Sequence, residues 1–177
     1  MTCLATRRAM GRFLTGALIG GTALAVRPAA AAPLPQPTEK PILTVSGKIT
    51  NFNKDKTAQF DRPMLEALGT SSFETNTPWY NGPVRFEGVP MERLMQAVGA
   101  TGDKVVAYAL NDYSTELPRS DFAQYNVLLA LKRNGEYMPV RDKGPLFIVY
   151  PYDSNPELRH QRFYSRSAWQ VARLVVQ

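Results

Sequence analysis

The chain has 177 residues, of which 44% are hydrophobic and 20% charged, and its formal net charge is +6. This composition is typical of one globular domain and excludes a disordered, collagen-like or coiled-coil protein. Cysteine and histidine occur once each, as Cys3 and His160. The chain after residue 31 therefore cannot form a Cys/His zinc site, an iron–sulfur cluster, a disulfide or a thiol nucleophile. We predict neither a metal site nor a catalytic residue.

Residues 1–31 have the pattern of a cleaved export signal peptide. Arg7 and Arg8 belong to a basic start, and residues 13–26 form an apolar stretch too short to span a bilayer. The small residues that signal peptidase needs end at Ala31, after which we expect cleavage. The mature protein is then periplasmic or secreted, with no transmembrane segment. The arginine pair leaves two export routes open, the twin-arginine route and the general secretory route.

The positive charge is mainly a property of the leader. Residues 1–31 carry four arginines and no acid, which leaves 17 basic and 15 acidic residues in the rest of the chain. The high isoelectric point therefore does not indicate nucleic-acid binding, which needs a basic face on the folded domain. Within the mature chain the excess of positive charge lies in residues 156–177, so we expect any anion site near the C-terminus.

After a Pro-rich lead-in at residues 32–41, residues 42–177 are predicted to form one domain of short elements. Alternating or apolar runs predict strands at 42–49, 71–77, 84–86, 104–110, 114–117, 127–132, 136–138, 146–150 and 169–176. Apolar spacing and capping residues predict helices after Asp61, after Pro90, over 120–124 and over 156–165. Strands and helices alternate without a regular βαβ rhythm. We therefore predict an α+β fold with a mixed, mainly antiparallel sheet.

Several stretches resemble one protein family when they are taken in order. They are Leu43–Gly47, Phe86–Met95, Asn111–Pro118, Leu128–Ala130, Asn134–Glu136, Gly144–Leu146 and the ending around Trp169. Their residues and their order resemble those of the molybdopterin-binding domain of the sulfite oxidase family of oxidoreductases. The resemblance covers essentially the whole mature chain. It implies that family's fold, a molybdopterin cofactor and molybdenum-dependent oxo transfer.

One residue that the resemblance requires is missing. In the family, a Cys thiolate just after a strand in the first third of the domain binds molybdenum. The matching stretch here is Phe73–Trp79, and it contains no Cys. Thr or Asn does not replace a soft thiolate donor. We therefore expect the fold without molybdenum chemistry, and no cofactor is predicted beyond the molybdopterin that the resemblance implies.

Candidate binding residues lie in aromatic loops and in the last predicted helix. Aromatic residues with polar tips at strand ends suit the rim of a small-molecule pocket, although they could equally cover a sheet edge. Arginines spaced three and four residues apart would share a helix face and could hold an oxyanion or stay solvated. We expect His160 to form hydrogen bonds and Glu74 to face solvent. The candidate cofactor-binding residues are Asn76, Trp79, Asn111, Tyr113, Tyr152, Arg159, Arg162 and Arg166.

Three hypotheses for the function follow. The first is a periplasmic binding or sensory component that takes a small anionic or pterin-like ligand and is read by a partner, such as a membrane sensor or a redox protein. The second is a molybdenum-cofactor-dependent oxidoreductase with a ligand other than Cys on the metal. The third is a structural or assembly subunit without a ligand.

Overall fold

The computed structural model describes residues 1–2 and 33–177, so the predicted export signal lies almost entirely outside the described residues. All described strands and helices lie within residues 43–176. No helix within the described ranges is long and apolar enough to cross a membrane.

Five strands form the first sheet: β1 (Leu43–Gly47), β2 (Ala58–Phe60), β5 (Lys104–Ala109), β6 (Ser114–Pro118) and β10 (Val171–Val176). Their order is β2-β1-β10-β5-β6. The strand β10 pairs in parallel with β1, while every other pair in this sheet is antiparallel. The last strand of the chain therefore lies at the centre of the sheet, beside the first strand of the domain.

The other five strands form the second sheet: β3 (Ser71–Asn76), β4 (Pro83–Pro90), β7 (Leu128–Arg133), β8 (Glu136–Tyr137) and β9 (Phe147–Val149). Their pairing is antiparallel throughout, with β7 bonded to β4, β8 and β9. A bridge between Phe147 and Trp169 joins β9 to the residues that lead into β10. The predicted mixed, mainly antiparallel α+β fold is confirmed, with the strands divided between two sheets.

Within residues 33–177, four short α-helices complete the fold: α1 (Arg62–Ala67), α2 (Met91–Ala97), α3 (Ser120–Gln124) and α4 (Gln161–Arg166). One hydrophobic core includes buried side chains from both sheets and from the helices, among them Val45, Phe86, Leu94, Leu129 and Leu174. The apolar face predicted for α2 is confirmed, because Met91, Leu94 and Met95 are buried.

Asp61 caps α1 as the sequence predicts, and it also anchors the Pro-rich lead-in. Its Oδ1 accepts from the Met64 N–H at 2.9 Å, while Oδ2 accepts from the N–H groups of Thr38 and Glu39 at 2.6 and 2.9 Å. Burial raises the pKa of this fully buried carboxyl, but the hydrogen bonds from Glu39, Met64 and Thr38 outweigh it, so the pKa of Asp61 is lowered. One side chain thus joins the lead-in to the start of a helix.

The prediction of one continuous helix over 156–165 is wrong. Residues Pro156–Leu158 form a single 3-10 turn, and α4 begins only at Gln161. Between them His160 is extended (φ −122°, ψ 146°), and its Nδ1 accepts from the Arg162 N–H at 3.4 Å. A residue that caps the next helix cannot continue the previous one. As a result, the three arginines of this region do not share one helix face.

Candidate functional site

A cleft of about 380 Å³ lies where the β3–β4 connection, the β5–β6 turn and α4 meet. We call it the aromatic cleft, because four of its lining residues are Trp79, Tyr113, Tyr164 and Trp169. The Trp79 ring lies 5.6 Å from Trp169 and 6.1 Å from Tyr164 between centroids, in edge-on geometry. Polar groups along the walls come from Asn111, Gln161, Ser165 and Ser167.

Trp79 is positioned by the break between β3 and β4. Pro78 follows the strand, and the Trp79 N–H reaches Thr77 Oγ1 at 3.4 Å, which turns the chain away from the sheet. One side of the half-buried indole packs edge-on against Phe147 of β9, 5.5 Å between centroids. The core therefore fixes one face of Trp79, and the remaining surface forms the wall of the cleft.

A second cleft of about 400 Å³ adjoins the first and shares Pro78 and Tyr164 with it. We call it the Asp153 cleft. The Asp153 carboxylate accepts from the backbone N–H and the side-chain amide of Asn76 at 2.6 and 2.9 Å, and from Arg159 at 2.6 Å. The hydrogen bond from the Asn76 backbone is the largest cause of a lowered pKa for Asp153, supported by the Asn76 side chain and Arg159 against the effect of burial.

The predicted arginine cluster is not formed as an open anion site. Each guanidinium pairs with a carboxylate: Arg159 with Asp153 at 2.6 Å, Arg162 with Glu157 at 2.9 Å, and Arg166 with Asp121 at 2.7 Å. An ion pair already satisfies much of the charge that an oxyanion would use. The positive excess seen in the sequence near the C-terminus is therefore largely compensated in the folded chain.

The Arg166 pair belongs to a buried polar network beneath α4. Asp121 Oδ2 accepts from both Arg166 and the Tyr150 hydroxyl, the latter at 2.8 Å. Burial, reinforced by the Asp121 carboxylate, raises the pKa of Tyr150 far above its usual range. The neighbouring Tyr152 hydroxyl is hydrogen-bonded to Ser167. This network fixes the buried side of α4 and leaves its other side to line the aromatic cleft.

The structure distributes the candidate residues among four places. Trp79, Asn111 and Tyr113 line the aromatic cleft, and Asn76, Tyr152 and Arg159 line the Asp153 cleft. Arg162 lines a depression together with His160 and Arg159, and Arg166 is paired with Asp121. Glu74 is exposed, as expected.

Sequence reasoning missed several lining residues of the aromatic cleft. These are Gln161, Tyr164, Ser165, Ser167 and Trp169. The first three belong to α4, and their spacing of three and four residues within the predicted helix is the signal that could have placed them on one helix face. Trp169 could have been found only through its bridge to Phe147, a contact between segments that are distant in sequence.

The donor set does not fit a molybdenum-bearing cofactor. No cluster of three or more His, Cys, Asp or Glu side chains suited to a metal occurs within residues 33–177. The stretch 73–79 contains no Cys, and the side-chain amide of its Asn76 is engaged by Asp153. Of the described residues that line the two clefts, only Arg159 is cationic, and it is paired. Aromatic walls with amide and hydroxyl groups do fit a flat uncharged ring.

The sequence of this chain matches a known protein family. The model of the oxidoreductase molybdopterin binding domain family matches residues 57–153, more than half of the chain. The chain therefore belongs to this family, and the predicted resemblance is confirmed. A search of curated proteins gave no match. The matched segment contains Trp79, Asn111 and Tyr113, whereas Tyr164 and Trp169 follow it.

Proposed function

We propose that this chain is an exported binding or sensory component that takes a small pterin-like ligand in the aromatic cleft and performs no molybdenum chemistry. The observation that carries the proposal is the composition of this cleft in a domain of the molybdopterin-binding family. Aromatic faces and neutral polar groups are present, while the thiolate and the open cationic pocket are missing among the described residues.

The aromatic walls supply affinity for a flat ring. A bicyclic ring placed against Trp79, Tyr164 and Trp169 would bury apolar surface on both partners, at about 25 cal/mol per Å². Stacked or edge-on aromatic contacts add about 0.5–1.5 kcal/mol each. The amides of Asn111 and Gln161 lie on the same walls and can pair with ring nitrogen and carbonyl groups. These features support the pterin-like ligand among the two ligand types that the sequence leaves open.

The charges favour a neutral ligand over an oxyanion. An anion bound at Arg159 would compete with Asp153, whose carboxylate also holds Asn76. The Arg159 side chain is 56% exposed and that of Asp153 is 29% exposed, so water compensates part of the loss and breaking this ion pair costs about 1 kcal/mol or less. The ion pairs of Arg162 and Arg166 are satisfied in the same way. An anion is therefore a weaker candidate than an uncharged heterocycle.

Family membership alone favours the second candidate, a molybdenum-cofactor-dependent oxidoreductase with a ligand other than Cys on the metal. Elemental analysis separates the two functions. We expect protein purified from the periplasm of its native host to contain far less than one molybdenum per chain. Stoichiometric molybdenum together with oxo-transfer turnover would overturn the proposal.

Ligand binding can be followed through the protein's own fluorescence. The chain has two tryptophans, Trp79 and Trp169, and both line the aromatic cleft. We expect pterin to quench tryptophan emission in the full chain, and Trp79→Leu to weaken its binding about tenfold. Asn111 lies in an exposed turn, so Asn111→Ala tests whether the cleft binds pterin without disturbing the core. Tyr137→Phe is the control, because this hydroxyl bonds Glu66 outside the cleft.

The proposal also includes export of the chain. It further includes recognition of the ligand-bound chain by a partner protein. The leader pattern supports export, and mass spectrometry of the periplasmic protein is expected to show a chain that begins at Ala32. The partner would be a membrane sensor or a redox protein. A chain that retains residues 1–31 and stays in the cytoplasm would contradict the proposed export.

A further inference from the structure

We propose that the backbone carbonyl of Ser165 accepts a hydrogen bond from an N–H group of the ligand, and that the Tyr113 hydroxyl holds this place until the ligand enters. The inference rests on the proposed function and narrows it. It states which edge of a flat ring forms a hydrogen bond in the aromatic cleft and which residue the ligand displaces.

The Ser165 carbonyl is a double acceptor at the edge of the cleft. It accepts from the Tyr113 hydroxyl and from Thr115 Oγ1, each at 2.9 Å. Ser165 is the last residue but one of α4, and the final carbonyls of a helix have no donor within the helix. Both Tyr113 and Ser165 line the aromatic cleft. The carbonyl is therefore an acceptor that outside groups must satisfy.

Of the two donors, Tyr113 is the one that can leave. It is 46% exposed and lies in the turn between β5 and β6, next to Asp112 with φ +63°. Thr115 is half-buried within β6, where it pairs with Ala107 of β5. When Tyr113 moves away, Thr115 still bonds the carbonyl and water can bond the phenol. The exchange costs one exposed hydrogen bond, worth about fivefold in an equilibrium constant.

This arrangement selects for a class of ring. A ligand that replaces the Tyr113 hydroxyl must bring a hydrogen-bond donor, because a carbonyl oxygen only accepts. Lactam, amidine and amino groups on a pteridine carry such N–H donors. A pteridine with the same flat surface but methylated ring nitrogens can still contact Trp79 and Trp169, yet it cannot bond Ser165.

The test compares lumazine with 1,3-dimethyllumazine, titrated calorimetrically into the full chain at a pH where lumazine is neutral. We expect lumazine to bind about two- to threefold more tightly, because the loss of the Tyr113 bond offsets most of the gain from the new bond to Ser165. Tyr113→Phe removes the competing hydroxyl and keeps the ring, so it should bind lumazine about fivefold more tightly and dimethyllumazine unchanged. Thr115→Val, which removes the other donor to the same carbonyl, should not increase the affinity for lumazine.

Two results would overturn the inference while the proposed function stands. They are equal affinity for the two pteridines, and weaker binding of lumazine by Tyr113→Phe, which would make the hydroxyl a ligand contact instead of a competitor. Failure of every pteridine, pterin included, to bind the wild-type chain would overturn the proposed function as well.

Discussion

Asp153 binds Asn76 twice, through the backbone N–H at 2.6 Å and the side-chain amide at 2.9 Å, across 77 residues of sequence. Asn76 ends β3, in the stretch where the resemblance places a metal-binding Cys. Here the polar groups of that position are engaged in a contact between β3 and the segment after β9. The stretch therefore serves the fold, and chemistry at Asn76 would require this contact to break.

The first prediction concerns the stability that this contact provides. Asp153→Asn keeps the shape of the side chain but removes the charge that strengthens its bonds to Asn76 and Arg159. Because the side chain is 29% exposed, solvent screens part of the effect. We expect the free energy of unfolding in urea to fall by about 1–2 kcal/mol.

The control for that measurement is Glu157→Gln. Glu157 pairs with Arg162 at a similar distance, but both side chains are about half exposed. We expect a change of less than about 0.5 kcal/mol. Equal losses in the two variants would mean that the Asp153 contact is only another surface ion pair.

The second prediction concerns the stability of the fold at acidic pH. The pKa values of Asp61 and Asp153 are lowered in the folded chain, so each carboxyl binds protons more readily when unfolded. Their contribution to stability is complete above the unfolded pKa of about 3.9 and is lost as the pH falls through the folded values. The free energy of unfolding in urea should fall between about pH 6 and pH 3. This fall should be smaller in the Asp61→Asn variant than in the wild-type chain. An identical pH profile in that variant would contradict the assignment.

The third prediction separates the arginines by their surroundings. Arg166→Met leaves Asp121, whose side chain is 8% exposed, without its cation, and we expect a loss of about 2–4 kcal/mol. Arg162→Met removes an exposed pair, and we expect less than about 0.5 kcal/mol. Thermal denaturation of both variants tests this difference. Combining Arg166→Met with Asp121→Asn should recover part of the loss, because the unpaired charge is then removed.

The fourth prediction concerns two glycines of the second sheet. A Cβ on Gly88 would collide with the backbone of Leu129 and Ala130 in β7, so Gly88→Ala must push the two strands apart. Gly135 has φ +88° in the β7–β8 turn, with open space around it. We expect Gly135→Ala to cost about 1 kcal/mol and Gly88→Ala clearly more, measured by urea unfolding. A comparable loss in both variants would show that the β4–β7 approach is not tight.

Features encoded by neighbouring residues could be predicted from the sequence. Asp61 as a cap, the apolar face of α2 and the turn at Asn134–Gly135 depend on groups within a few residues. In the turn both residues have positive φ, which Asn and Gly tolerate better than other residues. The break before α4 was missed because His160 caps through its side chain, and histidine is not among the residues that usually cap a helix.

The sequence by itself determined the class of fold, the family and the loss of the thiolate donor, because these follow from local patterns, their order and the residue types present. Only the tertiary structure decided which carboxylate neutralises Arg166 and which rings surround Trp79. Those partners come from segments that lie far apart along the chain. Arg166 and Asp121 meet because β10, which follows α4, pairs with β5, and β5 pairs with β6, which precedes α3; the rings meet because Phe147 bridges to Trp169. Side-chain spacing along one element cannot encode such an encounter, since it depends on how several strands pair.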